Sequence, residues 1–237
     1  MIKKVFEVFV FLTVFSGLAL LSNATRVKSL SVWQVLTPLN NEVVNHASFI
    51  SQINQLYVFG GLVTKGEPRK DISLSSINMA DGLISSWNTL IDSKLIYPVI
   101  WYSLSSYSDY LYILGGFNEI YSNGRGVSID NIQMAKIDSF GNIGTWIDLS
   151  TKLKVPVNFS AATTIGSRIY LSGGGTWTSG NYDYPPINPD VYFANINSTT
   201  GGLDAWTDAG PLPEPLLGHA MFNIGDKLYV IGGVGTD

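Results

Sequence analysis

His46 and His219 are the only histidines in the chain, and imidazole is the side chain best suited to carry a proton or hold a metal near neutral pH. Both open the same pattern, His46-Ala47-Ser48-Phe49 and His219-Ala220-Met221-Phe222, and neither has a carboxylate at ligand spacing. Trp101 and Ser160 fill the equivalent place in two intervening copies of the segment. A position that accepts tryptophan reads as structural. With no cysteine in 237 residues, a thiolate metal site and a disulfide framework are both excluded. No metal and no cofactor is expected.

Other stretches with chemical potential are weaker. Gly173-Gly174-Gly175 is followed by no Lys-Ser/Thr pair, so it lacks the residues with which a P-loop holds phosphate. Asn158-Phe159-Ser160 and Asn197-Ser198-Thr199 are glycosylation sequons, relevant only in a host that glycosylates secreted proteins. What remains is a set of aromatic and cationic residues in Gly- and Pro-containing loops: Arg69, Tyr121, Arg125, Trp177, Tyr182 and Tyr184. Rings give flat contact area and polar neighbours orient a ligand. This composition suits a saccharide or a peptide.

The elements that hold these loops are written in a repeat. Leu56-Tyr57-Val58-Phe59-Gly60-Gly61 returns as Leu111-Tyr112-Ile113-Leu114-Gly115-Gly116, Ile169-Tyr170-Leu171-Ser172-Gly173-Gly174 and Leu228-Tyr229-Val230-Ile231-Gly232-Gly233. The first glycines are 55, 58 and 59 residues apart, and Trp33, Trp87, Trp146 and Trp206 precede them by 27, 28, 27 and 26. Before three of the tryptophans runs a second apolar strand: Ile72–Asn78, Ile132–Asp138 and Val191–Asn197, entered by Asp71, Asn131 and Asp190. Gly82, Gly141 and Gly201 each lie five residues before a tryptophan, where a turn needs positive φ. Fixed spacing over this length denotes one supersecondary unit copied in tandem.

Strand, diglycine, variable loop, second strand and tryptophan together resemble the kelch repeat, whose period is about 50 residues. The resemblance covers residues 31 to 237. It implies an all-β, kelch-type β-propeller of four-stranded blades, with strand a innermost and the Trp-bearing strand d outermost. By this reading residues 31–36 form a lone d strand, three blades occupy about 44–90, 98–149 and 157–209, and a half blade occupies about 217–233. Tight a-to-b turns are expected at Asn54-Gln55, Ser108-Asp109, Gly166-Ser167 and Gly225-Asp226. The tyrosines, tryptophans and diglycines read as structural, filling and shaping the seams between blades. About three and a half blades fall short of the usual 4 to 8, so a C-terminal truncation is expected.

Composition bounds the partners. A net charge of −4 with 14% charged residues offers no basic stripe for nucleic acid. Lys3, Lys4, the apolar run Val8–Leu21 and Ser22-Asn23-Ala24 read as a signal peptide over 1–24. The propeller segment, 25–237, would then be secreted, periplasmic or displayed on a cell surface, with no membrane contact beyond the leader.

Loops between the diglycine and strand c lengthen along the chain, from 62–70 to 117–130 to 175–189, and function on rigid scaffolds concentrates in long loops. The expectation is a non-catalytic binding module that recognises a glycan or a protein through that face. Two further classes stand beside it: a sugar-metabolising enzyme of kelch type, such as a sialic-acid epimerase, and a structural repeat of a larger surface protein. A galactose-oxidase site needs a cysteine that the chain lacks. Open sheet edges at both ends of the repeat array lead to an expectation of self-association, including a homodimer.

Overall fold

The computed structural model describes residues 35–63, 67–118, 126–178 and 186–236. The chain divides into Met1–Val35 and Leu36–Asp237, and the fold below is that of the second unit. The leader, Trp33 and most of the expected 31–36 strand lie outside the described residues.

Every regular element among the described residues is a strand. In chain order they are β1 (Val43–Val44), β2 (Ala47–Ile50), β3 (Gln55–Phe59), β4 (Leu62–Val63), β5 (Ile72–Ser76), β6 (Asn88–Thr89), β7 (Ser103–Tyr107), β8 (Tyr110–Leu114), β9 (Ile132–Lys136) and β10 (Ile147–Asp148). They continue as β11 (Ala161–Ile165), β12 (Arg168–Ser172), β13 (Asp190–Asn195), β14 (Thr207–Pro211), β15 (Ala220–Ile224) and β16 (Lys227–Ile231).

Three antiparallel four-stranded sheets form, ordered β2-β3-β5-β6, β7-β8-β9-β10 and β11-β12-β13-β14, with two two-stranded sheets, β1-β4 and β15-β16. The register repeats: Tyr57 pairs with Phe49 and Leu74, Tyr112 with Ser105 and Met134, and Tyr170 with Thr163 and Phe193. The first strands β2, β7, β11 and β15 contact one another from sheet to sheet. They form the inner wall.

Two apolar seams hold the sheets together. Tyr57, Phe59, Leu95 and Trp146 pack with Leu111 and Ile113 between the first and second sheets. Tyr112, Leu114, Met134 and Leu153 pack with Ile169 and Ala194 between the second and third. A strand flanked by a neighbouring blade on each face is buried on both, which is why β8 reads Tyr-Leu-Tyr-Ile-Leu without a polar alternation and is buried at every position.

The tyrosines do more than fill these seams. Tyr57 donates its hydroxyl proton to the Gly141 carbonyl at 2.5 Å, and Tyr112 donates to the Gly201 carbonyl at 2.8 Å. Each bond crosses from one blade to the glycine turn of the next. Burial pushes the Tyr57 phenol up to about 12 and raises Tyr112 as well, so both remain donors. Gly201 has φ +71°, and a Cβ there would lie 2.5 Å from the Tyr110 ring. Tyr112→Phe leaves the buried Gly201 carbonyl without its partner and is expected to cost about 1–3 kcal/mol, measured as a lower urea midpoint with an unchanged slope.

Two local expectations need correction. The first blade's a-to-b turn is not tight at Asn54-Gln55: it spans residues 51–54, with Gln55 already in β3 and the Asn54 amide bonded to the Ser51 carbonyl at 3.1 Å. The equivalent of His46 in the second blade is Tyr102, not Trp101. A Cβ on Gly61 would lie 3.0 Å from the His46 Cβ, and one on Gly116 would lie 2.8 Å from the Tyr102 Cβ, with Ser160 and His219 set likewise against Gly174 and Gly233. Tyr102 is drawn into that place by its hydroxyl, which donates to the Phe59 carbonyl at 2.6 Å and accepts from the Ala47 amide at 2.9 Å.

Candidate functional site

Displaced by one residue, Trp101 joins a different set of equivalents. Asn45, Trp101, Phe159 and Gly218 stand just before the inner strands, and all four are left-handed, with φ of 58°, 53°, 52° and 67°. The Trp101 amide donates to the Asn45 carbonyl at 3.4 Å, Phe159 to Trp101 at 2.8 Å, and Gly218 to Phe159 at 2.8 Å. These bonds run across the blades. A left-handed residue turns its peptide out of its own sheet and toward the neighbour, so the ladder dictates the conformation. Glycine and asparagine tolerate it; for tryptophan and phenylalanine it costs roughly 1–2 kcal/mol each.

The strained rings gather. Trp101 and Phe159 stack with centroids 4.7 Å apart, and Phe117 meets Trp101 edge-on at 5.2 Å. Trp177 completes the group at 5.7 Å from Phe117 and 6.0 Å from Phe159. Phe117 is buried, while Trp101, Phe159 and Trp177 are half-buried. Because β2 through Phe59 and β7 through Leu114 pair start to end, these residues lie at the strand ends from which the long loops leave.

A polar clasp fixes Trp177. Its amide donates to Ser128 Oγ at 2.8 Å, and the Ser128 amide returns a bond to its carbonyl at 3.0 Å. Asn158 Nδ2 donates to the same Ser128 oxygen at 2.9 Å, while Asn158 Oδ1 has no partner among the described residues. Asn158 is fully buried. At the equivalent bridge position the other blades carry Val44, Ile100 and Leu217. The repeat therefore spends an aliphatic position here on an amide that orders the loop of Trp177.

Of the residues that sequence singled out, Trp177 belongs to this cluster. Arg69 is engaged within the first blade, with Nε on Asp71 Oδ2 at 3.0 Å and Nη2 on the same oxygen, while Lys94 approaches Asp71 Oδ1 at 3.6 Å. Tyr121, Arg125, Tyr182 and Tyr184 lie outside the described residues. Trp101 was read as structural and Phe117 and Phe159 were not singled out, although the aromatic just before the second and third inner strands, where Asn45 and Gly218 stand in the other two, was a visible signal. Asn158 was visible as a sequon, but its burial was not.

His219 joins the third sheet to the hairpin. His219 Nε2 meets Ser172 Oγ at 2.8 Å, and burial lowers the pKa of both His219 and His46 below the ordinary 6.5, the latter offset in part by a backbone bond at Val43. Each imidazole charges more readily in the unfolded chain. Their neutral forms thus stabilise the fold fully above 6.5, and that contribution is lost as pH falls below this value. The thermal midpoint is expected to drop between about pH 7 and about pH 5.5, and His46→Gln with His219→Gln should flatten the profile.

With this geometry in hand, the class is that of a kelch-type β-propeller, present as three four-stranded blades and a hairpin among the described residues. The solved structure of YjhT superposes with a TM-score of 0.61 over 84% of this chain and 61% of that one, at 16% identity. Beta-scruin of Limulus polyphemus is 22% identical over 196 residues, which is 79% of this chain and 19% of that protein. These likenesses support a kelch-like family, although no family model matches the chain. The chain spans less than two thirds of the length of either protein.

Proposed function

We propose that this is a secreted, periplasmic or cell-surface binding module, without catalysis of its own, which takes a carbohydrate or protein ligand at the long-loop end of its inner wall. One observation carries this reading: Trp101 and Phe159 hold a left-handed backbone that disfavours them, where the same ladder in the same molecule is served by Asn45 and Gly218. Strain kept at one point of a repeat is a mark of function. The loops add Trp177, fixed by Ser128, and from outside the described residues Tyr121, Arg125, Tyr182 and Tyr184.

A glycan array and a peptide array, probed with the chain and with its Trp177→Ala and Tyr184→Ala variants, test this. Ligand signal lost in the variants while the fold persists is the expected result. Turnover of a sugar by the chain, or a ligand retained by both variants, would show the reading to be wrong.

A further inference from the structure

The stretches that surround the stacked rings have a distinctive chemistry. Asn45–Ile50, Trp101–Tyr107, Phe159–Ile165 and Gly218–Ile224 contain no Asp, Glu, Lys or Arg. Hydroxyls and an amide join the inner strands instead: Ser103 to Ser160 at 2.8 Å, Ser105 to Thr164 at 2.8 Å, and Thr163 to Asn223 at 3.2 Å. Burial lowers the pKa of His46 and His219 and so favours their uncharged forms. Along these described stretches of the inner wall an ionic ligand would meet no counter-charge.

The flanks of the rings differ from each other. On one side Asn45 is exposed, and its side-chain amide has no partner among the described residues. On the other, Gly218 leaves a place without a side chain beside Phe159. An extended peptide adding to this surface would need free backbone donors and acceptors. The ladder has already used those of Trp101 and Phe159.

We infer that the ligand class is a neutral saccharide, whose apolar C–H face lies on the outer face of the Trp101–Phe159 stack, on the Trp101 side, while ring hydroxyls exchange bonds with the Asn45 amide; this rests on the binding reading above. A pyranose presents one face of C–H bonds and a rim of uncharged hydroxyls. The end of an aromatic stack, with an exposed Asn45 next to Trp101 in the ladder and an uncharged, hydroxyl-bearing wall, matches both parts. Sialylated or uronic saccharides carry a carboxylate, and Arg69, the described cation among the loop candidates, is engaged by Asp71.

Isothermal titration of the chain with cellohexaose, xylohexaose, mannohexaose and maltohexaose, and with hyaluronan and oligosialic acid, separates the possibilities. A proline-rich decapeptide serves as the peptide probe. At least one neutral hexasaccharide should bind with an affinity that is unchanged between about 0.05 and about 0.5 M salt. Trp101→Gly and Phe159→Gly should each weaken it at least about tenfold while circular dichroism shows the fold retained, the release of left-handed strain offsetting part of the lost packing. Trp101→Asn, which copies the residue of the first blade, serves if the glycine variants lose their packing. Binding of the anionic oligosaccharides alone, or of the decapeptide alone, with loss in Trp101→Gly, overturns the neutral-sugar inference and leaves the site in place. Neutral-sugar binding that all three variants retain overturns the site itself. Failure of every neutral hexasaccharide to bind also overturns the inference.

Discussion

Gly115→Ala is expected to destabilise the fold by about 2–5 kcal/mol, the sum of left-handed strain and forced displacement of packed backbone. Gly115 has φ +64°, and a Cβ there would lie 2.4 Å from the Val157 carbonyl oxygen, which already accepts the Gly116 amide at 2.8 Å. Backbone cannot swing aside as a side-chain tip can. Gly232 occupies the same place in the fourth copy at φ +68°, with nothing within 4 Å, so Gly232→Ala should cost only the conformational part, about 1–2 kcal/mol. Equal urea midpoints for the two variants would show that the close approach at Gly115 is not a constraint.

The second large effect concerns association. Among the described residues β16 pairs with β15 alone, and the side chains of this hairpin remain open: Ile224 is 55%, Tyr229 40% and Ile231 61% exposed. Its counterparts β3, β8 and β12 are each covered on the far edge by β5, β9 and β13. An unpaired apolar edge recruits another strand. The chain of residues 25–237 is therefore expected to scatter light as a dimer or larger species, and Ile231→Lys to shift it toward monomer, because a lysine on an edge opposes strand addition. A compact monomer at every concentration would end this expectation.

The repeat was legible because its members obey the same local rules in every copy. Tyrosine, diglycine and turn glycine answer to one geometry, so Gly82, Gly141 and Gly201 could be assigned positive φ from spacing alone. Burial was not legible at that level. Leu-Tyr-Ile-Leu-Gly-Gly and Leu-Tyr-Val-Ile-Gly-Gly are near synonyms, yet the first is sealed and the second open, since the neighbouring sheet and not the strand decides. The position of Trp101 was missed for a related reason. An aromatic before a strand looks like the start of its core face, and only the ladder from Asn45 to Gly218 reveals that it is one residue outside. Arg69 looked available in a loop, and the pairing that engages it lies two residues away at Asp71.

The bonds of the repeat tyrosines in β3 and β8 run forward along the chain, while Tyr102 reaches back to the first blade. Tyr57 of the first blade holds Gly141 of the second, and Tyr112 of the second holds Gly201 of the third. Seen as a chain of cooperative units, the molecule is then divided not at the sheets but across them: the middle strand of one blade opens together with the far turn of its successor. In hydrogen exchange the amides around Gly201 should follow those of β8 and not those of β13, their own sheet. In a linear array, where each repeat touches only its neighbours, such bonds place the boundaries of cooperative opening within the blades and not between them.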